Sequence, residues 1–140
     1  MVTLRPSTSA DAPTLIAGRD AEFHRFMGDG SPDPRPTACI VVDGTVVGWV
    51  DHDIDRQWLA PGECNLGYNV FAAHRGHGYA TRAVQLLLDH LAAGGELTTA
   101  TLLINPANAA SLALAHRLRF TPRPDLDGQA YFTRGLPPPT

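Results

Sequence analysis

HRGHGYATRA, residues 74–83, sets Gly76 and Gly78 two positions apart, between the extended run ECNLGYNVF (63–71) and a long apolar-periodic segment. A strand, a glycine turn and a helix in that order form a cradle for phosphate. Glycines let backbone N–H groups converge, and the helix start adds a favourable dipole. Two nucleotide readings fail. The dinucleotide fingerprint G-x-G-x-x-G needs a third glycine where Thr81 stands, and its ribose-binding acid should follow the second strand, whereas Glu96 precedes it. A Walker loop needs lysine, and all 11 basic residues of the chain are arginine. The lack of lysine also removes a Schiff-base nucleophile.

On the N-terminal side, VTLR (2–5) reads as a strand, and Ser9 is placed to cap a helix starting near Asp11, with Pro13 in its first turn. AEFHRFM (21–27) reads as a second short helix and GDGSPDPRP (28–36) as loop. Two β-branched runs flank Asp43-Gly44, a strong hairpin signal. After the glycine turn, Ala80, Val84, Leu87, Leu88 and Leu91 share one helical face, and AAGGE (92–96) ends that helix. LTTATLLI (97–104) is a strand, and NPANAASLALAHRLRF (105–120) holds a capped helix with Leu114, Ala115 and Leu118 on one face. QAYFTR (129–134) is the last strand. The order β, αα, ββ, β, α, β, α, β predicts a mixed sheet with hairpins first and a strand-helix-strand crossover later. It predicts one domain over 1–136 with a frayed proline-rich tail at 137–140.

Arg75-x-x-Gly78-x-Ala80 matches the pattern R-x-x-G-x-A, and thirty positions after Gly78 comes Asn108-x-x-Ser111, then Leu118-x-Phe120. With LGYNV before the turn and VTLRPSTSADAPTLI at the start, these motifs resemble the GNAT superfamily of N-acetyltransferases. The ribosomal-protein N-terminal (RimJ/RimL-like) branch is the nearer pattern, and the resemblance is weakest over 20–37. It implies a GNAT fold of the α/β (α+β) class: a mixed, mostly antiparallel sheet of six to seven strands, about four helices and a splayed central strand pair. It also implies acetyl-coenzyme A as donor and an amine as acceptor, either a protein N-terminus or a small amine. Arg119 stands in the usual glycine slot of L-G-F. Ala115 stands where many members carry a tyrosine that protonates the leaving thiolate, and Asn65 where the branch often has glutamate.

Mapped onto this chain, the resemblance implies that Arg75, Gly76, His77, Gly78, Tyr79, Ala80 and Thr81 surround the pyrophosphate. Val70 and Phe71 would hold the pantetheine arm, with the Phe71 N–H as oxyanion donor; the plain alternative is an ordinary ladder strand. Glu63, on one strand face with Asn65 and Gly67, is the candidate base, or else a solvated hairpin end. Ser111 is the candidate acid, a thiolate stabiliser, or a contact to coenzyme A beside Asn108. Asp51, Asp53 and Asp55 fall on one face if their strand persists, where the hairpin would bring them near Glu63 to attract a cationic amine, with Asn65 a further acceptor contact, or else they protect a sheet edge. A coenzyme A-binding module without turnover is the competing function.

A net charge of −3 carries no nucleic-acid footprint. No apolar run approaches a membrane span, and the N-terminus lacks the basic and apolar regions of a secretory signal. Cys39 and Cys64 match neither a metal knuckle nor a disulfide framework and read as reduced, buried thiols of a cytoplasmic protein. His74 and His77 form an H-x-x-H pair with no third ligand nearby in sequence, so no metal is expected. Membrane and nucleic acid are not expected partners; a homodimer is compatible with the sequence.

Overall fold

The computed structural model describes residues 1–139; Thr140, the last residue of the expected tail, lies outside the described residues. Its elements in chain order are β1 (Val2–Pro6), α1 (Ala12–Ala17), α2 (Ala21–Met27), β2 (Ala38–Val42), β3 (Thr45–Asp53), β4 (Glu63–Val70), α3 (Tyr79–Gly94), β5 (Thr99–Ile104), α4 (Ala109–Arg117), β6 (Thr121–Leu126) and β7 (Gln129–Gly135). The seven strands form one sheet in the order β1-β2-β3-β4-β5-β7-β6. The mixed sheet with four α-helices agrees with the predicted class. β4 and β5 run parallel over Glu63↔Thr99 to Asn65↔Thr101, while β1–β2, β2–β3, β5–β7 and β7–β6 are antiparallel.

The chain divides into two compact units, Met1–Asp51 with Tyr68–Val84, and His52–Gly67 with Gln85–Thr140. In the first, Leu15, Phe23, Ile40, Val47 and Val50 are buried; in the second, Leu87, Leu88, Leu102, Ile104 and Leu114 are. The β2–β3 hairpin turns at Asp43 (φ 50°) and Gly44 (φ 78°), as Asp-Gly dictates. Along α3 the buried face is Ala83, Val84, Leu87, Leu88 and Leu91; Ala80, in the first turn beside the loop, is only half-buried. Both cysteines are free and buried, and burial pushes the Cys64 thiol up to about 11.

Two expectations change. Ser9 does not cap α1. It lies inside a 3₁₀ turn (Ser9–Asp11), and the Asp11 carboxylate reaches back to accept from the Thr8 N–H at 2.8 Å. β6 has no counterpart in the sequence reading because Pro122 and Pro124 mark it as a non-strand. As an edge strand beside β7 it tolerates their missing N–H groups. The chain is anchored up to the start of the expected tail: Leu136 is buried, its N–H donates to Thr98 O at 2.8 Å, and Pro139 lies beside Gly95.

Arg119 keeps the geometry of the glycine it replaces. α4 closes in a Schellman motif, with Phe120 N–H donating to Ala115 O (2.9 Å) and Arg119 N–H to His116 O (3.0 Å), and Arg119 sits at φ 62°. A side chain in this region costs about 1 kcal/mol. Arg119→Gly should therefore raise the melting temperature by about 2–4 °C in thermal denaturation.

Candidate functional site

The glycine turn in the first unit is built by three successive segments. β4 ends at Val70, a 3₁₀ turn spans Ala72–His74, and Gly76 and Gly78 then take φ 84° and 78° before α3 starts at Tyr79. A Cβ at either glycine would meet nothing within 4 Å, so space is open above both. The bond from Arg82 N–H to Gly78 O (3.2 Å) opens the helical pattern, and the N–H groups before it are those a helix start leaves without intrahelical partners. His77, exposed, stacks on Tyr79 with ring centroids 5.3 Å apart. The turn thus presents backbone donors and a dipole to open space, the requirements for an anion.

Arg75 does not offer a free charge to that space. Its guanidinium donates to Asp20 Oδ2 at 2.6 Å and Oδ1 at 3.1 Å, and it pairs with Glu22 Oε2 at 2.8 Å. Its Nε donates to Val70 O at 2.8 Å, and Nη2 lies 3.4 Å from Asn69 Oδ1. Asp20 also caps α2, accepting from Phe23 N–H at 3.0 Å. One guanidinium therefore ties the α2 N-cap to the end of β4. The Arg75 bonds hold the Asp20 carboxyl down to about 2, and the same pairing raises Arg75. Because the folded value is lowered, this stabilisation is present above about pH 4 and lost as pH falls through about 2. The stability gap between the unaltered chain and Asp20→Asn should narrow by about 1 kcal/mol from pH 5 to pH 2. Urea unfolding across that range measures it.

The Phe71 N–H is likewise engaged. It donates to Val47 O of β3 at 2.8 Å, so it is not available as an oxyanion donor. The Phe71 ring lies against the Gly18 backbone. Gly48, buried in β3, permits a close approach to β4: a methyl there would overlap the Asn69 carbonyl oxygen and come within 2.9 Å of Val70 Cα. Asn69 is buried at 7% exposure, and among the described residues its Nδ2 has no hydrogen-bond partner.

Asp51 does not wait for a cation. Its Oδ1 accepts from Thr37 N–H (2.9 Å) and Thr37 Oγ1 (3.0 Å). In the second unit Asp53 pairs with Arg56 at 2.8 Å and accepts from Asp55 N–H at 2.7 Å. β3 ends at Asp53, so Asp55 leaves the expected shared face. Asn65 Oδ1 accepts from the fully buried Thr101 hydroxyl at 3.0 Å, a bond that links β4 to β5.

Glu63 opens β4 and accepts from Ala60 N–H at 2.9 Å. It lines an open cleft of about 580 Å³ with Tyr131, Arg123 and Thr133. Burial and the Glu63 charge together raise the Tyr131 hydroxyl. Glu63 is the first residue of β4 and Val70 the last. Asn108 is the N-cap of α4, its side chain accepting from Ser111 N–H at 3.2 Å. The N-x-x-S spacing is therefore first a capping motif, with Ser111 in the opening turn.

Sequence reasoning missed Asp20, Glu22, Gly48 and Asn69. Asp20 had a local signal, as an N-cap residue before AEFHRFM, but its partner is 55 positions away. Among the described residues no group of three His, Cys, Asp or Glu could hold a metal ion, and no helix is long and apolar enough to cross a membrane.

Residues 31–121 match the family model described as the acetyltransferase (GNAT) domain. No curated protein matches the chain. Among solved structures, the chain is similar to the aminoglycoside acetyltransferase AAC(6')-Ib in complex with coenzyme A, with a TM-score of 0.82 and 19% identity over 96% of this chain and 95% of that one. It is similar to Mycobacterium smegmatis RimJ in complex with CoA-disulfide, at 0.76 and 21% over 96% and 81%. It is also similar to RimL, a ribosomal L7/L12 alpha-N-protein acetyltransferase, at 0.77 and 17% over 96% and 94%. At such identities the likeness establishes the fold.

Proposed function

Because the chain belongs to the GNAT acetyltransferase domain family, we propose that it moves the acetyl group of acetyl-coenzyme A onto a primary amine. The observation that carries this reading is the N-terminus of α3, opened by two left-handed glycines into free space. Backbone N–H groups of Gly76 to Thr81 hold the pyrophosphate there, and the helix dipole adds to the attraction. The guanidinium of Arg75 shapes this loop from behind, through Asp20, Glu22 and Val70 O.

The amine attacks as the neutral base. A C–N bond forms at the thioester carbonyl, the C–S bond breaks, and the departing thiolate takes up a proton. The ammonium proton leaves to water. The acceptor is a protein N-terminus or a small amine, a choice supported by the likeness to RimL and to the aminoglycoside acetyltransferase. A cytoplasmic setting is part of the proposal and is supported by two free, buried thiols.

The test is thermal shift with acetyl-coenzyme A, followed by thiol release over a panel of amines and peptides. Stabilisation with release from at least one acceptor is the expected result. Stabilisation without release from any acceptor would favour a coenzyme A-binding module. No stabilisation at millimolar ligand would remove the donor assignment.

A further inference from the structure

We propose that the side-chain amide of Asn69 donates a hydrogen bond to the thioester carbonyl oxygen of the bound acetyl donor. This inference rests on the acetyl-transfer reading. With the Phe71 N–H closed off by Val47 O, that oxygen needs another donor at the end of β4. Asn69 is one residue before Val70 in the strand segment assigned to the pantetheine arm.

The orientation of the amide follows from its neighbour. A guanidinium only donates, so the Asn69 atom 3.4 Å from Arg75 Nη2 is the oxygen, and the NH₂ group points away from it. That NH₂ is buried and, among the described residues, has no acceptor. A donor left in this state keeps its full desolvation penalty, so native proteins hold few of them, and the exceptions call for a reason. The clamp on Arg75 fixes the amide in place: Arg75 is itself held by Asp20, Glu22 and Val70 O. Asn69 is therefore a preorganised donor of the kind that gains most when negative charge develops on its acceptor. The neutral carbonyl oxygen takes the bond in the ground state. The oxygen of the tetrahedral intermediate takes it more strongly, before the C–S bond breaks and the carbonyl reforms.

The test compares the full chain with Asn69→Leu, which is close in shape and has no donor, and with Asn69→Asp, which keeps an oxygen toward Arg75. Affinities for acetyl-coenzyme A and for coenzyme A are measured by calorimetry. The carbonyl stretch of bound ¹³C-acetyl-coenzyme A is measured by difference infrared spectroscopy. The unaltered chain should favour acetyl-coenzyme A over coenzyme A by about five- to tenfold, with the carbonyl band moved to lower wavenumber. Both variants should lose that preference and that band shift while binding coenzyme A within about twofold of the unaltered chain. Thiol release should fall by roughly 100- to 1000-fold. If either folded variant keeps the preference and the band position, the assignment of Asn69 is overturned while the acetyl-transfer reading stands. If the unaltered chain binds neither ligand, the reading beneath it fails instead.

Discussion

Gly78→Asp should bind acetyl-coenzyme A at least ~100-fold more weakly than the unaltered chain and melt within about 5 °C of it. The two halves of this result have separate causes. The backbone at Gly78 is left-handed, and a Cβ there meets nothing within 4 Å, so the added side chain clashes with no neighbour. Aspartate is among the residues that tolerate this conformation, and the conformational cost is about 1 kcal/mol. The fold therefore survives. The carboxylate, however, enters the space into which the helix start directs its donors. Two like charges about 4 Å apart near a protein surface repel by about 4 kcal/mol, close to 1000-fold in affinity, and salt lowers this somewhat. Gly78→Ala should fall between the two, with a similar melting temperature and a loss of less than about tenfold. Calorimetric titration with acetyl-coenzyme A gives the affinities. An unchanged affinity in Gly78→Asp would show that the phosphates are held elsewhere.

Gly48→Ala should cost about 3 kcal/mol and lower the melting temperature by about 10 °C. The methyl group would occupy the place of the Asn69 carbonyl oxygen and press on Val70 Cα. Both are backbone atoms, and no rotamer change can move them aside. β3 and β4 would have to separate locally, stretching the bond from Phe71 N–H to Val47 O. The displacement falls on the strand end that precedes the glycine turn, so coenzyme A affinity should fall along with stability. Gly94→Ala is the control. Gly94 ends α3, a Cβ there has open space, and alanine favours helix by about 1 kcal/mol. Urea unfolding of the two variants should move the midpoint in opposite directions. A Gly48→Ala midpoint equal to that of the unaltered chain would contradict the close approach of β3 to β4.

Sequence periodicity located most elements because their signals are local. Asp43-Gly44 encodes its hairpin in two residues, and the apolar spacing of α3 follows from 3.6 residues per turn. β6 escaped because Pro122 and Pro124 are poor strand residues everywhere except at an edge, and edge position is a property of the assembled sheet. The acidic residues of DHDID (51–55) read as one charged face, yet Asp51 bonds to Thr37 and Asp53 to Arg56. Those partners are set by how the chain turns, which the run of five residues does not record.

The glycine turn itself was legible from end to end. Gly76 and Gly78 encode their own backbone angles, the apolar periodicity after them encodes a helix, and together they make a turn of the kind that cradles an anion, with the motif of an acetyltransferase. Which side chains stand around that cradle was settled only by long-range contacts. Arg75 looked like a phosphate ligand until Asp20 and Glu22 were found on its guanidinium, and Phe71 looked like an oxyanion donor until its N–H was found on Val47. A residue's backbone preference is carried by its own chemistry and that of its neighbours. The hydrogen bonds left open to a ligand depend on which partners the fold has already brought to it.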